Sequence, residues 1–217
     1  MMLKKLKDPG SALTHFIGML MAMFAAMPLL IKAAQGADVI HIVSLVVFVT
    51  SIILLYTAST LYHSLRLSDK GCKIFKKLDH MMIFVLIAGT YTPVCLLALP
   101  QSTGVPMLIV VWSVAIVGMV INILWINCPK WFSSVIYIAM GWICVVAFSQ
   151  LINNLSPLAF GWLLSGGIIY TLGGIIYALK LPIFNSKHKN FGSHEIFHLF
   201  VMAGSACHFI LMFTFLQ

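Results

Sequence analysis

Five polar side chains in otherwise apolar stretches have the types and spacing that metal chemistry needs. They are His63, Asp79, His194 and His198, with Ser59 four residues before His63. Residues four apart lie on one face of a helix, so His194 and His198 could present two imidazoles side by side. Two such histidines and a third from a neighbouring helix supply the three ligands of a catalytic zinc site, whose fourth position is left to water.

Asp79 and Ser59 have the chemistry of groups that surround such an ion. A carboxylate near a metal accepts a hydrogen bond from the bound water or orients a ligand histidine, and the sequence leaves both roles open for Asp79. The Ser59 hydroxyl could bond to Asp79, to the water or to a substrate oxygen. These side chains act together only if their elements bring them to one place.

The composition indicates what those elements are. Of the 217 residues, 61% are hydrophobic and 8% are charged, which is about a third of the charged fraction of a soluble domain. This excludes a soluble globular domain, and it excludes disorder, which needs low hydrophobicity and high charge. The long unbroken apolar runs also differ from the alternating segments of a membrane β-barrel. The sequence therefore predicts an all-α polytopic integral membrane protein.

Seven apolar runs are long enough to cross a bilayer, since a helical span needs about 20 residues. We expect a single seven-helix membrane domain over residues 1–217, because no segment between the runs is large enough for a soluble domain. The predicted spans cover about residues 11–34, 41–64, 80–99, 106–127, 131–151, 158–180 and 194–217.

The basic residues predict the orientation. With alternating spans, twelve of the thirteen lysines and arginines fall on one side and Lys32 alone on the other. Basic loops stay in the cytoplasm, so we expect a cytoplasmic N-terminus and an external C-terminus. All five polar residues then lie near the cytoplasmic ends of three spans, at one depth. The bases are scattered over short loops, which argues against nucleic-acid binding.

Other polar residues leave alternatives open. The segment from His194 to His198 fits the HExxH pattern of zinc proteases, in which Glu195 would be the general base. His15 lies at the depth of the cluster, where it either supports the metal site or joins two helices. His208 lies about 15 Å deeper than His198 by helix rise, and we expect it to form a hydrogen bond to a neighbouring helix.

Five short motifs occur in order from the first span to the last. They are Ser11-Ala12-Leu13-Thr14-His15, Ala58-Ser59-Thr60-Leu61-Tyr62-His63, Leu78-Asp79-His80, Ala88-Gly89-Thr90-Tyr91-Thr92-Pro93 and Gly192-Ser193-His194-Glu195-Ile196-Phe197-His198. Together they resemble the haemolysin III family, part of the wider group of progestin and adipoQ receptors that includes the adiponectin receptors. The resemblance implies a seven-helix protein with zinc near the cytoplasmic side. His63, His194 and His198 would hold the zinc, and Asp79 and Ser59 would stand beside its water.

The resemblance also has functional implications. Adiponectin receptors are described as hydrolysing ceramide, a lipid amide, and their relatives tend to have glutamine where this chain has Glu195, which argues against a protease. Some family members are linked to membrane-lipid homeostasis, and the family name comes from red-cell lysis attributed to bacterial members. The short, loop-poor form resembles those bacterial members and implies the inner (plasma) membrane.

We therefore expect a zinc-dependent intramembrane hydrolase of a lipid amide or ester, with one zinc ion per chain. Its partner would be a membrane lipid, as substrate or ligand, and no soluble protein partner is inferred. Asp79 would be the general base or would orient the water, and Ser59 would help hold the oxyanion or the aspartate. Two alternatives remain: a sensor or regulator of membrane state with structural zinc, and a pore-forming haemolysin.

Overall fold

The protein is a bundle of membrane-spanning helices. The computed structural model describes residues 6–35, 38–125, 128–179 and 192–216, and every regular element in these ranges is helical. Seven helical segments there are long and apolar enough to cross a membrane. The predicted all-α, seven-span architecture is confirmed, while the orientation of the bundle stays a prediction.

Within the described ranges, seven crossings are built from eight α-helices. A π-helical turn, Val94–Ala98, continues the third crossing, and a 3₁₀ segment, Trp142–Ala147, joins the two helices of the fifth. The helices are α1 (Pro9–Ala34), α2 (Val39–Ser64), α3 (Asp69–Pro93), α4 (Gln101–Leu124), α5 (Lys130–Gly141), α6 (Phe148–Asn154), α7 (Pro157–Leu179) and α8 (Ser193–Phe215).

The third helix begins well before the span predicted from residue 80. Ser68 caps its N-terminus by accepting a hydrogen bond from the Gly71 backbone N–H at 3.4 Å. The first turns carry four lysines, so they form a helix that is too polar to be recognised as a span. The predicted span ends at residues 127, 180 and 217 lie outside the described residues.

The packing order brings four helix ends together. α2 packs against both α1 and α3, α7 packs against α8, and α1 also contacts α8. The Asp8 backbone N–H donates to the His63 carbonyl at 3.0 Å, so the start of α1 is joined to the end of α2. The starts of α1, α3 and α8 and the end of α2 therefore form one end of the bundle, which we call the site end.

Apolar side chains lie both inside and outside the bundle. Phe48 and Leu211 are fully buried between helices, whereas Met21, Phe24 and Met27 of α1 are exposed. An apolar outer surface is what a bilayer requires, because lipid tails solvate these side chains. Polar side chains in the interior are then the ones that need a separate explanation.

Candidate metal centre

Three histidines converge at the site end. His63 lies in the last turn of α2, and His194 and His198 lie in the first two turns of α8. One ring nitrogen of each lies within 4.8 Å of the other two. The Nε2 atoms of His63 and His194 are 3.1 Å apart. His63 and His198 are buried, so the cluster is largely removed from solvent.

This donor set fits zinc. Bonds of about 2.0–2.1 Å in a tetrahedron place two ligand nitrogens about 3.3 Å apart, close to the observed separation of the two Nε2 atoms. Three imidazoles are also a ligand set typical of catalytic zinc. Within the described parts of the chain, no other group of three metal-ligating side chains comes together in this way.

Asp8, which directly precedes α1, and Thr14 of α1 orient two of these rings. The Nδ1 atom of His63 lies 3.0 Å from a carboxylate oxygen of Asp8, and Nδ1 of His198 lies 3.1 Å from the Thr14 hydroxyl oxygen. That hydroxyl donates its own proton to the Ser11 carbonyl at 2.9 Å, so it accepts from His198. Both rings therefore carry their proton on Nδ1 and keep the Nε2 lone pair for a metal, the arrangement in which supporting groups fix a ligand's tautomer.

Sequence reasoning missed Asp8 and Thr14. A signal existed for Asp8, because it is one of only five acidic residues in the chain and it precedes the first span on the side predicted for the cluster. Thr14 offered no such signal, since an apolar helix tolerates a lone threonine that bonds to its own backbone.

Glu195 occupies a structural position. One carboxylate oxygen accepts from the Ser11 hydroxyl at 2.5 Å, and the other accepts from the Gly192 backbone N–H at 2.7 Å. The second bond caps the start of α8, because Glu195 reaches back to the backbone N–H of the N-cap residue. Both oxygens are thus used to begin α8 and to attach it to α1, which favours a structural role over the general-base role of a zinc protease.

His15 lies directly against the cluster. Its ring stacks on that of His198, with centroids 3.6 Å apart and planes 6° from parallel. Among the described residues neither of its ring nitrogens has a hydrogen-bond partner, and its side chain is buried. Of the two predicted roles, this position favours support of the metal site.

Asp79 and Ser59 face the cluster across a cavity. Both are buried, and they line a cavity of about 180 Å³ whose wall also includes His194 and His198. The Ser59 hydroxyl has no hydrogen-bond partner among the described residues. The structure therefore brings the five predicted residues to one place, while their individual roles stay predictions.

The cavity extends from the site end deep into the bundle. Along the third crossing it reaches from Asp79 of α3 to Val94 of the π-helical turn, a rise of about 22 Å. Between these points its wall is mainly apolar, with side chains such as Leu86, Ile87 and Val201. A long, mainly apolar cavity with the histidine cluster at one end matches the shape and polarity of a lipid.

Comparison with known proteins identifies the family. The profile of the family described as "Haemolysin-III related" matches residues 3–209. The chain belongs to the haemolysin III family. Its relatives in the haemolysin III family include "Hemolysin-3 homolog" of Bacillus subtilis (strain 168), 38% identical over 203 residues that cover 94% of this chain and 91% of the relative. "Hemolysin-3" of Bacillus cereus is 37% identical over 203 residues, with 94% and 89% covered.

A more distant relative links the haemolysin III family to a receptor group. "Progestin and adipoQ receptor-like protein 1" of Caenorhabditis elegans is 26% identical over 221 residues, which cover 93% of this chain and 50% of that protein. The family resemblance found in the motifs is therefore confirmed.

Proposed function

We propose that the protein is a zinc-dependent hydrolase of a lipid amide or ester in the bacterial inner membrane, with a role in membrane-lipid homeostasis. One observation carries the proposal. Two histidines of the cluster line the same long, mainly apolar cavity as a buried carboxyl and a buried hydroxyl. A lipid in this cavity would have its polar head beside the cluster and its chain in the bundle.

His63, His194 and His198 would hold the zinc. When bound, zinc supplies a Lewis acid that polarises a carbonyl and lowers the pKa of water. Asp8 and Thr14 would keep two ligand rings in the required tautomer, since they bond to the Nδ1 atoms of His63 and His198. The ligand set therefore comes from α2 and α8, and its support comes from the start of α1.

Asp79 would act on the proton of the attacking water, or would orient that water. Burial among helices excludes bulk solvent from its carboxyl. The Ser59 hydroxyl lines the same cavity and could donate a hydrogen bond to that carboxyl. The same hydroxyl could instead stabilise negative charge on the carbonyl oxygen of the substrate. Both roles require a scissile carbonyl at the head end of the cavity.

Turnover tests this proposal. Zinc-loaded protein in lipid nanodiscs should release fatty acid from a panel of ceramides, other N-acyl lipids and lipid esters. Asp79→Asn should lower kcat about 100- to 10,000-fold, the usual effect of removing a general acid–base group, while zinc content is unchanged. Asp38→Asn, at the opposite end of α2, is the matched control. Failure of the zinc-loaded protein to cleave any of these lipids would overturn the proposal.

A structural role for zinc is the second candidate, and specific contacts favour it. Asp8 joins α1 to the His63 ring, and Glu195 joins α8 to α1, so an ion at the cluster would lock three helices together. A sensor or regulator of membrane state could use such a lock. In that case removing zinc would lower the Tm, and no lipid would be hydrolysed.

A pore remains the third candidate because two relatives carry the name hemolysin. One variant distinguishes lysis that depends on the metal site from lysis by a pore. A His63→Ala protein that lyses red cells as well as the wild type would favour the pore. Lysis lost together with zinc would count against it.

A further inference from the structure

A buried acceptor in the deep part of the cavity is not used by the proposed metal site. His208 of α8 is 5% exposed and lines the cavity. Its Nε2 lies 3.3 Å from the Leu163 carbonyl of α7, and a carbonyl can only accept, so Nε2 carries the proton. In the neutral ring Nδ1 is then an acceptor, and no described residue donates to it.

The predicted interhelical hydrogen bond of His208 is therefore confirmed for one nitrogen and leaves the other unpaired. Buried polar atoms are normally paired with protein, water or ligand. Because the His208 side chain lines the cavity, a donor bound in the cavity is the candidate partner for this acceptor.

Three other polar groups of the cavity wall already have protein partners. The Tyr170 hydroxyl bonds to Ser205 Oγ at 2.8 Å. The Thr171 hydroxyl donates to the Gly167 carbonyl at 2.8 Å, and the Thr90 hydroxyl donates to the Leu86 carbonyl at 2.8 Å. The buried Nδ1 atom of His208 has no such partner among the described residues.

The distance from the metal centre defines where the donor would lie on a lipid. His208 is ten residues beyond His198 on α8, a rise of about 15 Å. The three backbone bonds of one residue in an extended peptide cover about 3.5 Å. At the same length per bond, roughly 12 to 13 bonds of an extended lipid chain cover that rise. A proton donor at this position on an otherwise apolar chain is a mid-chain hydroxyl.

We propose that His208 forms a second polar subsite, which accepts a hydrogen bond from a hydroxyl group in the middle of a lipid acyl chain bound in the cavity. The inference deepens the proposed function and rests on it for the position of the lipid head at the metal centre. It narrows the substrate class to lipids with a mid-chain hydroxylated acyl group.

Binding of three fatty acids to the full chain in nanodiscs tests the subsite. The probes are stearate, 12-hydroxystearate and 2-hydroxystearate, each competing with radiolabelled stearate. We expect 12-hydroxystearate to bind about fivefold more tightly than stearate, the effect of one additional hydrogen bond, and 2-hydroxystearate to lack this advantage. Equal affinities of stearate and 12-hydroxystearate would overturn the proposal, and they would indicate that water pairs with Nδ1.

A variant tests whether His208 causes the preference for 12-hydroxystearate over stearate. His208→Phe keeps a ring of similar size without the acceptor, and it should bind both acids equally. His41→Phe, at the opposite end of α2 from the metal centre, should keep the preference. A His208→Phe protein that still prefers 12-hydroxystearate would overturn the assignment. If this variant does not fold, the wild-type comparison of the three acids still decides whether the subsite exists.

The outcome is separable from that of the hydrolase proposal. None of the three acids contains an amide or ester bond, so their binding does not depend on turnover. Tighter binding of 12-hydroxystearate without hydrolysis of any lipid would contradict only the proposed function. Hydrolysis of a lipid without tighter binding of 12-hydroxystearate would contradict only the proposed subsite.

Discussion

At the residue scale, the chemistry of the site depends on which nitrogen of each ring carries the proton. The convergence of the three histidines could be predicted, because the four-residue spacing in α8 and the helix order together put His63, His194 and His198 at one depth. The groups that fix the tautomers could not. Thr14 and His198 are 184 residues apart in the chain, and their contact depends on how α1 and α8 pack.

The Asp8 carboxylate should strengthen zinc binding without touching the ion. Asp8→Ala removes the acceptor for His63 Nδ1, and such losses typically weaken metal affinity about 10- to 100-fold. Competition with a chelator of known affinity measures the effect. Asp38→Ala is the control, because it removes another aspartate–histidine pair, at 2.9 Å, from the opposite end of α2. Equal zinc affinity of Asp8→Ala and the wild type would contradict the assigned role.

Glu195 should stabilise the fold and take no part in catalysis. Glu195→Ala removes the capping bond and the bond to Ser11, and a lost helix cap costs about 0.5–2 kcal/mol, so the Tm should fall. Turnover per bound zinc should be retained. Thermal unfolding and activity measured on the same preparation check both parts. An unchanged Tm with turnover abolished at full zinc content would instead support the protease-type base.

At the element scale, the sequence predicted the positions of the crossings but not their irregularities. Average hydropathy over about 20 residues locates a span, because burial in lipid acts on the whole segment. It does not detect the lysine-rich start of α3, which Ser68 caps, or the 3₁₀ segment Trp142–Ala147 inside the fifth crossing. These features depend on individual hydrogen bonds of the backbone and of a capping side chain.

The contact between α7 and α8 depends on a glycine. A Cβ atom at Gly166 would clash with the His208 ring, whereas a Cβ at Gly167 would meet nothing within 4 Å among the described residues. Gly166→Ala should therefore destabilise the bundle by about 1–3 kcal/mol through overpacking, and Gly167→Ala should not. Unfolding in mixed detergent micelles compares the two variants. Equal stabilities would show that the two helices are not in this close contact.

At the scale of the whole molecule, the sequence predicted the fold class and the family but not the cavity. Composition and the length of the apolar runs are sufficient to predict seven membrane spans. Five motifs in order are sufficient to recognise the haemolysin III family. A cavity is a space that the packed side chains of several helices leave open. Its wall includes Ser59 of α2, Asp79 of α3 and His208 of α8, and no spacing along the chain encodes such a combination.

The orientation of the bundle is testable in intact cells. The asymmetry of basic residues predicts that Lys70 faces the cytoplasm and Gln35 the outside. In a cysteine-free background, a membrane-impermeant maleimide should label Gln35→Cys in intact cells, and it should label Lys70→Cys only after the membrane is permeabilised. The reverse pattern would place the metal centre near the external surface.

Zinc content tests the central claim most directly. The wild-type protein and the His194→Ala/His198→Ala variant would be purified side by side in detergent without chelators, and their metal would be measured by elemental analysis. The structure of the site predicts one zinc ion per chain in the wild type and none in the variant. A wild-type protein without zinc, or a variant that retains it, would contradict a metal centre formed by His63, His194 and His198.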